Sequence, residues 1–374
     1  MSEEYVQTRQ LRDAAFLERL KEDGSPLGFE LELTARCNND CRHCLINLPA
    51  GDTAARDAEL TLGEIERIAE EAVELGTFWC LVTGGEPLLR ADFAEIYTAL
   101  RRLGLLTSVF TNACLVSREH VCLFREQPPR DVEVTVYGVT QETYERVTGR
   151  AGSWRAFCRG VGLLLDGGVR VRFKAVALQS NVDELPQIAE FCRLHTCDYF
   201  RFDAMLHLRY DGDEARNALI RAERLSPERI AFLDREDSER WAALEKSRDR
   251  YVVPPSDDPG RLFRCGVLRG NFAISPEGIY RPCSSLWAPG FTSDLRHTSL
   301  KDARRRGVEA IAAARTGDPA FAAACGACQI GNLCLGCPAH FHLETNHLDA
   351  VVPYFCAVAH ARAATIGIEP GPPE

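Results

Sequence analysis

Between residues 28 and about 205, six short apolar runs alternate with amphipathic stretches, and this alternation leaves few architectures open. The runs are Phe29–Thr34, Phe78–Val82, Leu106–Thr111, Val132–Val136, Val169–Leu178 and Tyr199–Met205. They are apolar on consecutive positions rather than strictly alternating, as parallel strands covered on both faces are. The stretches between them read as helices with recognisable ends. Thr61 and Glu64 form a capping box, and Asn181 with Glu184 resembles one. Gly76, Gly104 and the pair Gly167 and Gly168 fall where helix C-caps belong. Six βα units in series make an α/β protein, either an open doubly wound sheet or a partial barrel.

The character of the chain then changes. Ser226 followed by Pro227 is a helix start, with the serine as N-cap and the proline in the first turn. A charged helical stretch runs to Tyr251, and prolines 254, 255 and 259 break it, so residues 211–264 read as a helical linker. From residue 265 onward seven cysteines appear among interleaved glycines and prolines. Such a segment is too loop-rich to rest on apolar burial and is expected to fold around metal. The expected organisation is an extension over 1–27, the βα series over 28–210, the linker, a metal-bound unit over 265–360 and a tail over 361–374.

A net charge of −10 and a pI near 5.5 argue against nucleic acid or an anionic membrane as the main partner. The run Arg304, Arg305, Arg306 reads as a solvated helix face. The first residues carry no basic start and no apolar stretch, so no secretory signal is expected. No window reaches the roughly 18 apolar residues of a membrane span. The expected location is the cytoplasm, where 16 cysteines point to metal ligation rather than disulfides.

Cys37, Cys41 and Cys44 directly follow the first run. Three thiols at this spacing hold three corners of a cubane iron–sulfur cluster, whose full ligation takes four. The fourth iron is then open to another ligand, which is what catalysis needs. The alternative is a structural zinc site completed by a distant His or Cys. Position favours the first reading, because α/β folds place active sites at the C-terminal ends of their strands. Gly84, Gly85, Glu86 and Pro87 follow the second run in the same way. Paired glycines let backbone approach a ligand closely, and Glu86 offers an acceptor for a ligand ammonium.

Together these two motifs resemble the radical S-adenosylmethionine (radical SAM) superfamily, over residues 28 to about 210. The resemblance implies a partial (β/α)6 TIM-like barrel and a catalytic 4Fe-4S cluster on Cys37, Cys41 and Cys44. It further implies that the amino and carboxylate groups of S-adenosylmethionine take the open iron, with Gly84, Gly85, Glu86 and Pro87 lining the amino group. His43 stands at the position usually held by an aromatic residue near the adenine. Asn112, after Thr111, matches a pair found close to the site, and Thr135 matches a hydroxyl residue that meets ribose or carboxylate. Tyr137 stands where relatives commonly carry an acid. Lys174, Arg201 and Asp203 are charges on strands that should be core; a barrel interior facing an anionic cofactor is one explanation for Lys174 and Arg201, and an Arg201–Asp203 pair is the other. In such enzymes the reduced cluster donates one electron to the sulfonium, and the resulting 5′-deoxyadenosyl radical takes a substrate hydrogen. A reductant such as flavodoxin or ferredoxin is therefore an expected partner.

The C-terminal stretch resembles the SPASM domain, a small loop-rich unit with two auxiliary iron–sulfur clusters. By that resemblance Cys265, Cys283 and Cys337 hold the first, and Cys325, Cys328, Cys334 and Cys356 the second. Only Leu335 and Gly336 precede Cys337, one residue short of the family pattern, and no further cysteine follows Cys265 closely. Residues 275–278 read as a hairpin turn that draws Cys265 towards Cys283. A zinc ribbon is the alternative for the paired cysteines. Cys80, Cys114, Cys122, Cys158, Cys192 and Cys197 read as ordinary core thiols, and His340 and His342, close to Cys337 and Pro338, as surface histidines, with donation to cluster sulfurs the alternative.

Most SPASM relatives act on peptides or proteins, so the first expectation is a radical SAM oxidoreductase that crosslinks or oxidises a ribosomally made peptide. The 27 residues before the first strand are too few for a peptide-recognition domain, so a separate recognition protein is expected, or else a small-molecule substrate. Sulfatase-maturase-like oxidation of Cys or Ser is a rival, weakened by Ser284 where that group tends to place an acid. Small-molecule dehydrogenation or cofactor biosynthesis is another rival. A zinc-stapled binding protein is the rival outside enzymes.

Overall fold

The computed structural model describes residues 25–196, 201–253, 257–265, 270–334 and 336–368. Strand β1 (Gly28–Glu32) leads into a two-residue ladder, β2 (Arg36–Cys37) beside β3 (Leu48–Pro49). Then come β4 (Trp79–Thr83), β5 (Leu106–Thr111), β6 (Asp131–Thr135), β7 (Val171–Val176) and β8 (Arg201–Asp203). Apart from the small ladder, each pairs in parallel with its predecessor, in the order β1-β4-β5-β6-β7-β8. Of the sixth expected run, Tyr199 and Phe200 lie outside the described residues, as does Cys197.

Helices cover the outer face. The Thr61–Glu64 capping box forms at the start of helix Leu62–Glu74, and Gly76, Gly104 and Gly168 take positive φ after helix ends. Asn181 and Glu184 do not make the expected second box. The Asn181 amide instead donates to the carbonyls of Val176 and Tyr137, and Glu184 accepts from the N–H of Val139. Both residues thus tie β6 to β7 where each strand leaves the sheet.

The expectation that the strands are apolar on both faces is corrected. Burial alternates along β4 and β7. One face is packed core, including Phe29, Leu31, Val82, Val134, Phe173 and Ala175. The other carries Glu30, Glu32, Glu133, Arg172 and Lys174. Glu30 on β1 feels the charge of Lys174 on β7 although three strands separate them in the sheet. The sheet therefore curls, and these side chains line the inside of a partial barrel. Polar residues are tolerated there because they pair with one another.

The C-terminal segment does not stand apart from this barrel. Strand β9 (Phe272–Ile274) pairs in parallel with β1, β10 (Ile279–Arg281) turns back along β9, and β11 (Ser293–Asp294) follows. The result is one nine-stranded sheet, β11-β10-β9-β1-β4-β5-β6-β7-β8. The hairpin turn at Ser275–Gly278 forms as read, with Gly278 at positive φ. The two ends of the sheet meet through side chains. Tyr210, beyond β8, stacks on Trp287, beyond β10, at 3.7 Å. The Arg281 guanidinium lies 4.0 Å from the Trp287 ring and pairs with Glu32 on β1 at 2.7 Å.

Residues 211–264 are helical as read, with helices at Glu214–Glu223, Pro227–Glu236 and Ser238–Lys246. Pro254 and Pro255 lie outside the described residues. Arg304 is buried while Arg305 and Arg306 are exposed, so the basic run is a solvated face only in part. Among the described residues, no helix is long and apolar enough to cross a membrane.

Candidate active site and cysteine clusters

The three-cysteine loop hangs from the C-terminal end of β1 and is braced from below by buried charge. Arg36 reaches Glu59 through two hydrogen bonds of 2.7 and 3.1 Å, and Thr34 donates to the same carboxylate. Arg90 donates to the carbonyls of Leu33 and Leu60. Charge-assisted bonds of this kind fix geometry more firmly than neutral ones. Further along, the Asp40 N–H bonds the Thr148 carbonyl, and Arg150 bonds the Asn38 carbonyl.

The turn Gly84–Pro87 presses directly against this loop. Gly85 N–H donates to Thr34 O at 2.7 Å, and Glu86 N–H to Arg36 O at 3.0 Å. A Cβ at Gly84 would lie 2.4 Å from Thr34 O, and one at Gly85 only 2.3 Å from Arg36 O. The sequence reading had the glycines admit a ligand; in the structure they admit the backbone of the cysteine loop itself. Glu86 is fully buried, and its carboxylate accepts from Leu88 N–H, the Thr111 hydroxyl and Asn112 N–H at 2.8–3.0 Å. Burial outweighs these bonds and raises its pKa to about 7. A carboxylate has about four acceptor positions, so one is left for an ammonium.

Asn112 knits the two motifs together. Its backbone meets Glu86, and its amide donates to Asn38 at 2.9 Å and approaches Cys37 Sγ at 3.7 Å. The next residue, Ala113, has φ +62°, a left-handed conformation that costs a non-glycine residue about 1–2 kcal/mol. His43 is buried with its ring 5.2 Å from that of Tyr137, its Nδ1 has no hydrogen-bond partner, and burial lowers its pKa to about 4. Sequence reasoning undervalued Tyr137. Its hydroxyl bonds Cys41 and Thr135, and burial followed by the neighbouring cysteine charges holds it well above its usual pKa. Cys114 also lies beside the loop, with the Asn39 amide 3.9 Å from its sulfur.

Inside the barrel Lys174 pairs with Glu133 at 2.7 Å and lies 3.9 Å from the centre of the Phe110 ring. Its partner is thus a protein carboxylate. The Arg201 side chain lies outside what the structure describes, so the Arg201–Asp203 pair is not assessed. A cavity of about 210 Å³ opens beneath these residues, bounded by Glu30, Trp79, Phe110, Asp131, Glu133 and Arg172.

The thiols fall into three groups. Burial, with the Glu86 charge behind it, pushes Cys37 up to about 12; burial, with the charges of Cys44 and Cys37 behind it, holds Cys41 well above its usual value. Cys265, Cys283 and Cys337 feel one another, and burial pushes Cys337 up to about 12. Cys325, Cys328, Cys334 and Cys356 form the last group, with Cys325 pushed up to about 11, chiefly by burial. Clustered thiols that resist ionisation in a buried site become ligands when a metal compensates their charge. Among the described residues, no three His, Cys, Asp or Glu side chains converge closely enough for a single metal ion. Of the scattered cysteines, Cys80, Cys114 and Cys192 are buried as read, but Cys122 and Cys158 are exposed. His340 is half-buried rather than a surface residue, stacked 3.7 Å from His207.

A parallel partial barrel with a three-thiol loop at the end of β1 is the arrangement that the sequence resemblance implied. The profile of the Radical SAM superfamily matches residues 31–192, so the chain carries a Radical SAM domain over that stretch. It is 23% identical over 260 residues to the antilisterial bacteriocin subtilosin biosynthesis protein AlbA of Bacillus subtilis, covering 69% of this chain and 55% of AlbA. It is 28% identical over 270 residues to the PqqA peptide cyclase of Rhodopseudomonas palustris, covering 70% of this chain and 67% of the cyclase. The chain thus spans between half and two thirds of the length of these relatives. The structure of Streptococcus suis SuiB bound to S-adenosylmethionine superposes with a TM-score of 0.65 at 16% identity, over 91% of this chain and 80% of SuiB. That of anSMEcpe with bound AdoMet gives 0.62 at 13%, over 91% and 96%. These two likenesses establish the fold.

Proposed function

We propose that this chain is a radical SAM enzyme of the SPASM type that modifies a ribosomally synthesised peptide, by a crosslink or an oxidation. The observation that carries the reading is the grouping of the C-terminal thiols into three and four, with Cys265 and Cys283 on either side of a hairpin that pairs with β1. Relatives of similar make-up have peptides in their names: a peptide cyclase, a bacteriocin biosynthesis protein, and SuiB bound to its precursor peptide SuiA.

The residues fit the groups that such an enzyme needs. Cys37, Cys41 and Cys44 would hold the catalytic cluster, and the two C-terminal groups the auxiliary ones. The orphaned His43 Nδ1 and the remaining acceptor position on Glu86 suit an adenine and an ammonium. Gly84, Gly85 and Pro87 set that acceptor in place, while Asn112 and Thr135 border the loop. When bound, the cluster and S-adenosylmethionine supply a carbon-centred radical that takes a hydrogen atom from the substrate. The chain's own part is to orient and to exclude water. The Tyr210–Trp287–Arg281 stack closes the gap between the ends of the sheet, and the charged chamber inside receives the substrate. Lys174, paired with Glu133, borders this chamber.

One observation favours a second reading, oxidation of a Cys or Ser side chain. The Ser284 hydroxyl, beside Cys283, is directed at the Glu30 carboxyl, which burial holds above the usual carboxylate range. A proton acceptor is therefore available where Ser284 alone offers none. The test is a search of the neighbouring genes for a short precursor peptide, then anaerobic incubation of the reconstituted chain with S-adenosylmethionine, a reductant and that peptide, followed by mass spectrometry. Loss of two hydrogens from the peptide, with 5′-deoxyadenosine formed, supports the proposal. Cleavage of S-adenosylmethionine with the peptide unchanged, while a small molecule is oxidised, overturns it.

A further inference from the structure

We propose that residues 209–224 are a clasp that seats the catalytic cysteine loop from the C-terminal side, with Arg209 and Arg224 as its positioning residues. This rests on the catalytic reading of Cys37, Cys41 and Cys44, and on no particular substrate.

Cys41 and Cys44 lie between Asp40 and Asn47, and the Asn47 amide donates to the Asp40 carboxylate at 3.3 Å. That bond draws together the two ends of the stretch that carries both thiols. Each end is then gripped by the segment after β8. Arg209 donates to the Asn47 carbonyl at 3.2 Å and to its side-chain oxygen at 3.3 Å, and both residues are buried. Arg216 bonds the Asp40 carboxylate. Arg42, within the stretch, pairs with the buried Glu223 at 3.6 Å.

These gripping side chains stand on one frame. Asp211 holds the Arg209 guanidinium through bonds of 2.6 and 3.1 Å, and accepts the Asp213 N–H at 3.1 Å. Asp213 caps helix Glu214–Glu223 by accepting the Arg216 N–H, and Asn217 in that helix accepts the Arg209 N–H at 2.8 Å. Caps and charge-assisted bonds of this kind fix the geometry of an element. Arg209 and Arg216 thus reach the loop in fixed register rather than as independent arms.

The far end of the same helix is fastened to the C-terminal unit. Arg224, its C-cap, donates to the Leu206 carbonyl at 2.8 Å and to both oxygens of Glu344. Glu344 lies on helix Pro338–Thr345, whose N-cap is Cys337. The Tyr354 hydroxyl donates to the Leu225 carbonyl at 3.0 Å from helix Pro353–Thr365, which carries Cys356. The Arg224 and Glu344 side chains are only 9% and 10% exposed, so removing either strands a buried charge. One helix therefore grips the catalytic loop along its length and the C-terminal unit at its end. Where that unit holds Arg224 decides whether the loop stays closed on its thiols.

The test is hydrogen exchange, read by mass spectrometry on the reconstituted full chain kept anaerobic. The amides of Asp40 and Cys44, bonded to Thr148 O and Cys41 O, report on the loop, and strand Leu106–Thr111 reports on the barrel. Arg209→Gln and Arg224→Gln are each expected to speed exchange over residues 38–48 by about tenfold or more, with the strand unchanged. Local opening moves the loop alone, whereas general destabilisation moves both. Glu344→Gln should match Arg224→Gln, and the two together should add nothing, because they break one contact. Arg209→Lys keeps a donor for Asn47 and should restore most of the protection. In the same samples a chelator should strip the electron paramagnetic resonance signal that responds to S-adenosylmethionine faster from Arg224→Gln than from the unsubstituted chain. Exchange over residues 38–48 that is indifferent to Arg224, or raised only together with the strand, overturns the clasp and leaves the proposed function standing. Failure of the unsubstituted chain to assemble any iron–sulfur chromophore overturns both.

Discussion

Gly85→Ala tests whether the Gly84–Pro87 turn exists to seat the cysteine loop. The added Cβ would lie 2.3 Å from Arg36 O and 2.7 Å from Ala35 O. Both are backbone atoms, so no side chain can swing away. Overpacking of this kind costs about 1–3 kcal/mol. The bonds Gly85 N–H to Thr34 O and Glu86 N–H to Arg36 O are lost if the turn retreats, at about 1 kcal/mol each. The sum is about 3–5 kcal/mol, or about two to three and a half powers of ten in the folding equilibrium. Displacement also moves Arg36, next to Cys37, so the catalytic cluster should load poorly even in protein that stays folded. Gly63→Ala is the control, because nothing lies within 4 Å of its Cβ position and it sits in helix Leu62–Glu74. There the change should stabilise by about 0.5–1 kcal/mol. Urea unfolding of the metal-free chains gives the first quantity, and iron analysis after anaerobic reconstitution the second. If Gly85→Ala unfolds and loads iron as Gly63→Ala does, the close approach is not what the glycines are for.

Other consequences follow from single features of the site. Reconstituted protein should hold about eleven or twelve irons per chain, falling by about four when Cys37, Cys41 and Cys44 become Ala; stoichiometric zinc with no visible absorption would sink the cluster reading. The raised pKa of Glu86 means that the ligand-free fold binds its proton more readily than the unfolded chain does. Its contribution to stability is therefore full below about 4.5 and lost as pH rises through about 7. An ammonium partner needs the carboxylate, so affinity for S-adenosylmethionine should fall by up to about tenfold per pH unit below about 7; equilibrium dialysis between pH 6 and 8 checks this, and a flat profile removes Glu86 from the contact. Lys174→Met removes the 2.7 Å partner of the Glu133 carboxylate, which keeps Arg172 at 3.9 Å, and should cost about 2–4 kcal/mol. The double change with Glu133→Leu should recover most of that in thermal unfolding, and equal losses in both would mean the pair is not coupled.

The sequence disclosed the parts of this molecule that depend on local pattern. Strand β5 matches the expected run Leu106–Thr111 residue for residue, and the cap at Thr61 and the turn at Ser275–Gly278 form as read. What it hid depends on long-range partners. Consecutive apolar residues disguised the inward face, because Glu30, Lys174 and Arg172 are scattered singly and each becomes acceptable only beside a charge from another strand. Asn181 and Glu184 fit a capping box on spacing alone, but tertiary acceptors at Val176 and Tyr137 outcompete the local bond. Tyr137 looked like a lost acid, yet a phenol serves where the neighbours are thiols rather than a cation. Arg304 differs from Arg305 and Arg306 in nothing local, only in facing Tyr280.

The placement of β9 and β10 decides how the two cluster regions relate. Strand β9 runs parallel to β1, so β10 runs antiparallel to both, and the chain leaves β10 after Arg281 at the end where β1 begins. The Cys37 loop leaves β1 at the opposite end. Cys283 and Cys37 therefore bracket the barrel interior from its two ends, with Glu32, Arg281 and Lys174 between them. Five residues of β1, at about 3.3 Å each, set the depth of that interior at roughly 16 Å. In the proposed reaction a substrate held there meets the radical source above and an electron acceptor below, so hydrogen removal and electron removal need not compete for one site. A separate C-terminal module on a flexible tether would not impose that separation. The hydrogen bonds between β1 and β9 do, because sliding their register by one residue would turn the inward face of the β9–β10 hairpin, Arg281 included, outward.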